Sequence, residues 1–148
     1  MKYTALTKLA LKICFEAHKD QLDKGGMPYV FHPFHLAEQM ETEEEICTAL
    51  LHDVVEDTDC TLEEIKDMGF PKEVTDALGL LTHDSAVPYM DYVKEIKKNP
   101  IARQVKLADL RHNSDINRIE IKTEAEAQKA QKRVEKYRKA MEILLKEE

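Results

Sequence analysis

The chain has 148 residues, 43% apolar and 34% charged, which suits one globular domain with a real core and excludes a disordered chain. Its formal charge of −7 argues against a nucleic-acid backbone as partner, since phosphate contacts need a basic face. There is no membrane-length apolar run or signal-peptide layout, and Cys14, Cys47 and Cys60 lack CxxC spacing, so a cytoplasmic protein with no membrane partner is expected.

Gly and Pro are scarce, at 4 and 5 copies, and the spacing of apolar residues is helical throughout. A first helix is predicted from Thr4 to His18, then a loop from Asp20 to Phe31 holding the Gly25-Gly26 pair. A short helix follows from Pro33 to Met40, with proline in the first turn where its missing N–H costs nothing. Three helices open on a Thr with Glu three residues later, the pattern of a capping box: Thr42/Glu45, Thr61/Glu64 and Thr123/Glu126. The first should run to Asp57 and the second to Gly69. Pro71 starts another helix, and two more are expected over Tyr89–Lys98 and Ile101–Asp115. The last, over residues 123–146, places Ala127, Ala130, Val134, Tyr137, Met141 and Leu144 on one seam, which we expect to pack on its own domain. The expected fold is a single-domain, all-α helical bundle over residues 1–148, either a monomer or a weak homodimer.

The segment from Ala49 to Thr58 carries the chemistry. Leu50, Leu51, Val54 and Val55 occupy one arc, and His52, Asp53, Glu56 and Asp57 the opposite one. A solvated acidic face explains this pattern. So does a metal site: imidazole and carboxylate are both divalent-cation ligands, and a cation relieves the repulsion among three crowded carboxylates. His32 sits in apolar surroundings at the junction Tyr29-Val30-Phe31-His32-Pro33, as a packed histidine or as a ligand. Asp109 lies in the nearly apolar run Val105–Leu110 and needs a partner there, either a salt bridge to Lys106, Arg111 or Arg103, or a metal.

Taken together, His32, His52-Asp53 and Asp109 resemble the H…HD…D signature of the HD superfamily of metal-dependent phosphohydrolases. The blocks His18–Pro33, Ala49–Thr61 and Val105–Asn113 are similar, more closely, to the hydrolase domain of RelA/SpoT proteins and to the small alarmone hydrolases. The resemblance implies an all-helical bundle with one divalent metal, Mn²⁺, on His32, His52, Asp53 and Asp109. It implies that Glu56 and Asp57 orient and activate the attacking water, and that Lys24 and Asn113 contact the nucleotide. The implied reaction removes pyrophosphate from the 3′ position of guanosine tetra- or pentaphosphate, the nucleotides of the stringent response. Three positions depart from the family pattern: Asp23 stands where a cation is usual before the loop, Leu110 where an Arg follows the Asp, and His83 where a Lys follows Thr82. A second reading keeps the metal chemistry with a nucleoside monophosphate or NADPH as substrate, which Asp23 favours. A third is a nucleotide-sensing module without turnover, against which the Glu56-Asp57 pair speaks. His35 reads as a supporting residue, and His83 and His112 as surface or capping residues.

Overall fold

The computed structural model describes residues 1–147; Glu148, the last residue of the expected domain, lies outside them. Among the described residues the chain folds into nine α-helices and one 3₁₀ turn: α1 (Ala5–His18), α2 (Phe31–Glu38), α3 (Glu43–Leu51), α4 (Val54–Asp57), α5 (Leu62–Asp67), α6 (Lys72–Leu81), α7 (Tyr89–Lys97), α8 (Pro100–Asn113), the turn Ile116–Arg118, and α9 (Glu124–Leu145). None of the helices is long and apolar enough to cross a membrane.

The organising element is α3. Six of its nine residues, Ile46 to Leu51, are buried, so it reads as apolar on every side and is enclosed by α1, α2, α6 and α8. Its charged residues are confined to the first turn, where Glu43, Glu44 and Glu45 meet the positive end of the helix dipole, and the buried Thr48 hydroxyl donates back to the Glu44 carbonyl. Outside this shell, α9 lies across α7 and α8, burying Ala130, Ala140 and Leu144.

Three expectations need correction. The helix opened by Thr42 does not continue to Asp57; it ends at Leu51, and α4 starts after a break at His52-Asp53. The Ala49 carbonyl, which an unbroken helix would offer to the amide of residue 53, accepts instead from His52 Nδ1 at 2.6 Å. Apolar periodicity cannot reveal such a break, because the side chains on either side keep their helical spacing. Helix α2 begins at Phe31, not Pro33, which places His32 inside its first turn. Of the three capping boxes only Thr42/Glu45 is reciprocal; Thr61 and Thr123 accept from the Glu64 and Glu126 amides, while the Glu126 carboxylate takes the Lys122 amide. A reciprocal box that the Thr-Glu pattern misses closes α1, where Thr7 stands in for the acid opposite Thr4.

Candidate metal centre

Four side chains from three separate elements converge. The first turn of α2 supplies His32, the break after α3 supplies His52 and Asp53, and the last part of α8 supplies Asp109. His32 Nε2 lies 3.0 Å from Asp109 Oδ1 and 3.9 Å from Asp53 Oδ2. His52 Nε2 lies 2.9 Å from Asp53 Oδ2 and 3.6 Å from Asp109 Oδ1. An ion held about 2.1 Å from each of two adjacent ligands separates them by about 3.0 Å, so these spacings suit one divalent cation. His32, His52 and Asp109 are buried, and this His-His-Asp group can hold a metal.

The direction of the nitrogens supports the same fit. His52 Nδ1 bonds to a carbonyl, which only accepts, so this nitrogen carries a proton and Nε2 is the atom turned inward, free to ligate a cation once it gives up its own proton. That Nε2 is buried and makes no aligned hydrogen bond despite its closeness to two carboxylates. Without a cation the cluster balances itself. Burial opposes a charge on His52, but Asp53 and Asp109 outweigh it and raise the imidazole well above its ordinary value. Burial likewise opposes ionisation of Asp109, and Lys106, with Nζ 2.9 Å from Asp109 Oδ2, then holds the carboxyl well below the usual range. The salt bridge to Lys106 and the inward-facing Oδ1 coexist on one carboxylate: each oxygen has its own task.

Glu56 and Asp57 stand at the rim, open to water, one turn beyond Asp53. The protein packed against them, and then the Asp53 charge, raise both carboxyls above their ordinary values. A base with a raised pKa, next to a cation site and facing solvent, is matched to taking a proton from water.

Beside the cluster lies a cavity of about 320 Å³ that contains both predicted nucleotide contacts, Lys24 and Asn113. Asn113 links the two features, donating from Nδ2 to Asp109 Oδ1 at 2.9 Å, and Tyr29 does the same through a hydroxyl bond to Asp53 Oδ2. Arg118 and Arg133 also line it. Burial, and then the charge of Arg133, lower the Lys24 amine, and three cations, Lys24, Arg118 and Arg133, share this space. Asp23 does not simply oppose them. Its Oδ1 accepts the amides of Gly25 and Met27, both at 2.9 Å, and Oδ2 lies 3.4 Å from Arg118 Nη2. The loop it closes is pressed onto the 3₁₀ turn, because a Cβ at Gly25 would collide with the Arg118 carbonyl oxygen. Gly26, at φ +83°, supplies the left-handed step of the same loop.

Sequence reasoning set aside several of these residues. His112, read as a surface residue, places Nδ1 2.7 Å from His32 Nδ1, and burial followed by the Arg118 charge lowers its imidazole to about 4. His35 packs its ring on His112, at 4.2 Å between centroids. Tyr137 read as a packing residue of the last helix, and Arg133 was not singled out. Only tertiary structure brings them to the cavity, although an Arg beside the small-residue seam was the available signal.

An all-helical bundle that gathers two imidazoles and two carboxylates beside a solvent-facing acidic pair is the framework of an HD-type phosphohydrolase. Comparisons with known proteins agree. The chain is 35% identical over 120 residues to the mouse guanosine-3′,5′-bis(diphosphate) 3′-pyrophosphohydrolase MESH1, covering 70% of this chain and 66% of that protein. It is 34% identical over 129 residues to the zebrafish protein of that name, covering 78% and 71%. No family model matches. A solved structure described as a metazoan ortholog of SpoT that hydrolyses ppGpp superposes with a TM-score of 0.69 at 24% identity, over 93% of this chain and 87% of the other, and shows the same fold. The chain belongs to the MESH1 family of guanosine-3′,5′-bis(diphosphate) 3′-pyrophosphohydrolases.

Proposed function

We propose that this protein is a guanosine-3′,5′-bis(diphosphate) 3′-pyrophosphohydrolase that uses one Mn²⁺ ion held by His32, His52, Asp53 and Asp109. The observation that carries the reading is the convergence of four inward-facing donor atoms beside a carboxylate pair, with a cationic cavity joined to them through Tyr29 and Asn113. The names of its relatives support the substrate. Two nitrogen and two carboxylate ligands form a borderline-to-hard set, which supports Mn²⁺ over a structural zinc. When bound, the ion supplies a Lewis acid for a phosphoryl oxygen and makes water more acidic. Glu56 and Asp57 orient the attacking water, and one of them accepts its proton as its oxygen bonds to phosphorus; the bond to the ribose 3′ oxygen breaks, and that oxygen leaves as the hydroxyl by taking up a proton from the same carboxyl or from solvent. Lys24, Arg133 and Asn113 hold the remainder of the nucleotide. Residues 1–148 act as one domain, α9 included, since it supplies Arg133 and Tyr137. A monomer or weak homodimer is supported by the seam of α9, whose Ala130, Ala140 and Leu144 are already buried. The three free thiols support a cytoplasmic setting.

The test is hydrolysis by the Mn²⁺-loaded protein of guanosine tetraphosphate, NADPH and nucleoside monophosphates, with product analysis. Release of pyrophosphate and GDP from the first is the expected result. Turnover confined to NADPH or to monophosphates would overturn the substrate while leaving the metal centre standing, and metal-loaded protein without any turnover would favour a sensing module.

A further inference from the structure

We infer that His112 is a positioning residue for the metal ligand His32, accepting a hydrogen bond from His32 Nδ1–H and so fixing both the tautomer and the plane of that ring. The inference rests on the metal centre proposed above. The two Nδ1 atoms are 2.7 Å apart, the ring centroids 5.0 Å apart, and the ring planes 4° apart. Two parallel rings with centroids this far apart bring two nitrogens this close only when they lie edge to edge in a common plane. The contact is therefore an in-plane hydrogen bond, aligned with an imidazole lone pair, and not a face-to-face stack.

Such a bond requires one protonated and one bare nitrogen, since each neutral imidazole has one of each. His32 Nε2 points at Asp109 Oδ1 and Asp53 Oδ2, where a cation needs its lone pair, so the proton of His32 must sit on Nδ1. His112 is then the acceptor, with its own proton on Nε2. His52 has the equivalent arrangement with the Ala49 carbonyl, so each metal histidine has its outer nitrogen held.

The placement follows from helix geometry. His112 lies three residues after Asp109 on α8, one turn along the same face, so a single helix carries one ligand and the group that orients another. His35 lies three residues after His32 on α2 and covers the His112 ring from the other side, at 4.2 Å between centroids and 30° between planes. Arg118 Nη1 donates to the His112 carbonyl at 3.0 Å, which ties the backbone of this residue to the wall of the cavity. A carbonyl would serve as acceptor equally well; an imidazole from α8 additionally couples the two helices that must close around the ion.

The experiment compares wild type, His112→Phe and His112→Asn, titrating each metal-free protein with Mn²⁺ alone. Phe keeps a flat ring and removes the acceptor; Asn places a carbonyl oxygen near the position of Nδ1. Affinity should fall about 10- to 100-fold in His112→Phe and return to within about threefold of wild type in His112→Asn. Equal affinity in wild type and His112→Phe overturns the inference, and so does a His112→Asn variant as weak as His112→Phe. A wild type that binds no Mn²⁺ removes the metal centre itself, which separates that failure from this one. If His112→Phe does not fold, ¹⁵N spectra of the zinc-loaded, diamagnetic wild type decide. His32 should show a protonated Nδ1 and His112 a bare one, and the reverse pattern overturns the assignment.

Discussion

Replacing Asp23 by Asn separates two roles that its carboxylate combines. The Asn oxygen can still accept the Gly25 and Met27 amides, so the loop survives, while the charge opposite Arg118 is lost. Both partners of that ion pair are partly exposed, with side chains at 23% for Arg118 and 17% for Asp23, so the pair contributes no more than about 1 kcal/mol. For a chain of this size that lowers Tm by about 2–4 °C. The effect on binding has the opposite sign. For a phosphoryl charge about 6 Å away across the lip of the cavity, removing one negative charge is worth between about 0.7 kcal/mol in water and about 2.8 kcal/mol near a protein surface. After screening, a gain of about 1 kcal/mol lowers KM for guanosine tetraphosphate about fivefold, and moderate salt shrinks the gain. Arg at this position, which the sequence alone recommends as the cation of the family pattern, breaks both amide bonds and faces Arg118. Its cost is about 2–4 kcal/mol, or about 4–16 °C in Tm, which offsets any new phosphate contact. The assay is KM at low and moderate salt together with thermal unfolding for all three proteins. An Asp23→Arg variant as stable as wild type would refute the loop role, and an unchanged KM in Asp23→Asn at low salt would refute the electrostatic one.

Asp53→Ala should lower bound metal well below the one ion per chain expected of wild type, as read by elemental analysis; equal loading would sink the ligand assignment. Glu56→Gln should cut turnover by about two to four orders of magnitude with metal retained, and wild-type turnover in the variant would reduce Glu56 to a solvated side chain. The raised carboxyl of Glu56 also fixes two signs. Its ionised form is the base, so kcat should fall as pH drops through a value above the ordinary glutamate range of about 4.3. Its folded value exceeds its unfolded one, so its contribution to stability is present at low pH and lost as pH rises through the folded value. Metal-free Glu56→Gln should therefore melt no lower than wild type at neutral pH, and a clear drop in Tm would contradict this. Lys106→Met leaves buried Asp109 without its countercharge, costing about 3–5 kcal/mol in metal-free protein and less with Mn²⁺ bound. Equal destabilisation in both states would show that no cation shares the Asp109 carboxylate.

The helices were legible in sequence for physical reasons, while the set of four donors was implied by the family resemblance and left open by the residues themselves. Apolar spacing dictates which side of α6 and α9 is buried, and a carboxylate inside the run Val105–Leu110 must find a charge. The break after α3 was not legible. It depends on a His52 ring competing for the Ala49 carbonyl, and any helical wheel hides that exchange. The partners of His32 and Arg118 were equally hidden, since His112 is 80 residues from the first and Asp23 is 95 from the second. His112 looked idle because sequence gives it no constellation of its own; its companions are His32 and His35, both on α2. Asp23 was read by its charge, while its main bonds are to backbone amides of its own loop.

The uneven burial of the bundle sets an order of local opening. Helix α3 hides six of nine residues, whereas α9 hides three of its twenty-two and rests chiefly on α7 and α8. Detaching α9 exposes a smaller share of fully buried residues than disturbing α3, so it should require less free energy, and its amides should exchange with solvent before those at the centre. Arg133 and Tyr137 ride on that helix. One wall of the cavity is thus carried by a helix less deeply buried than α3, whose end carries His52 and Asp53. A bound nucleotide that engaged both would slow exchange in α9 selectively, and its departure would proceed through motion of that wall with the cation site left in place.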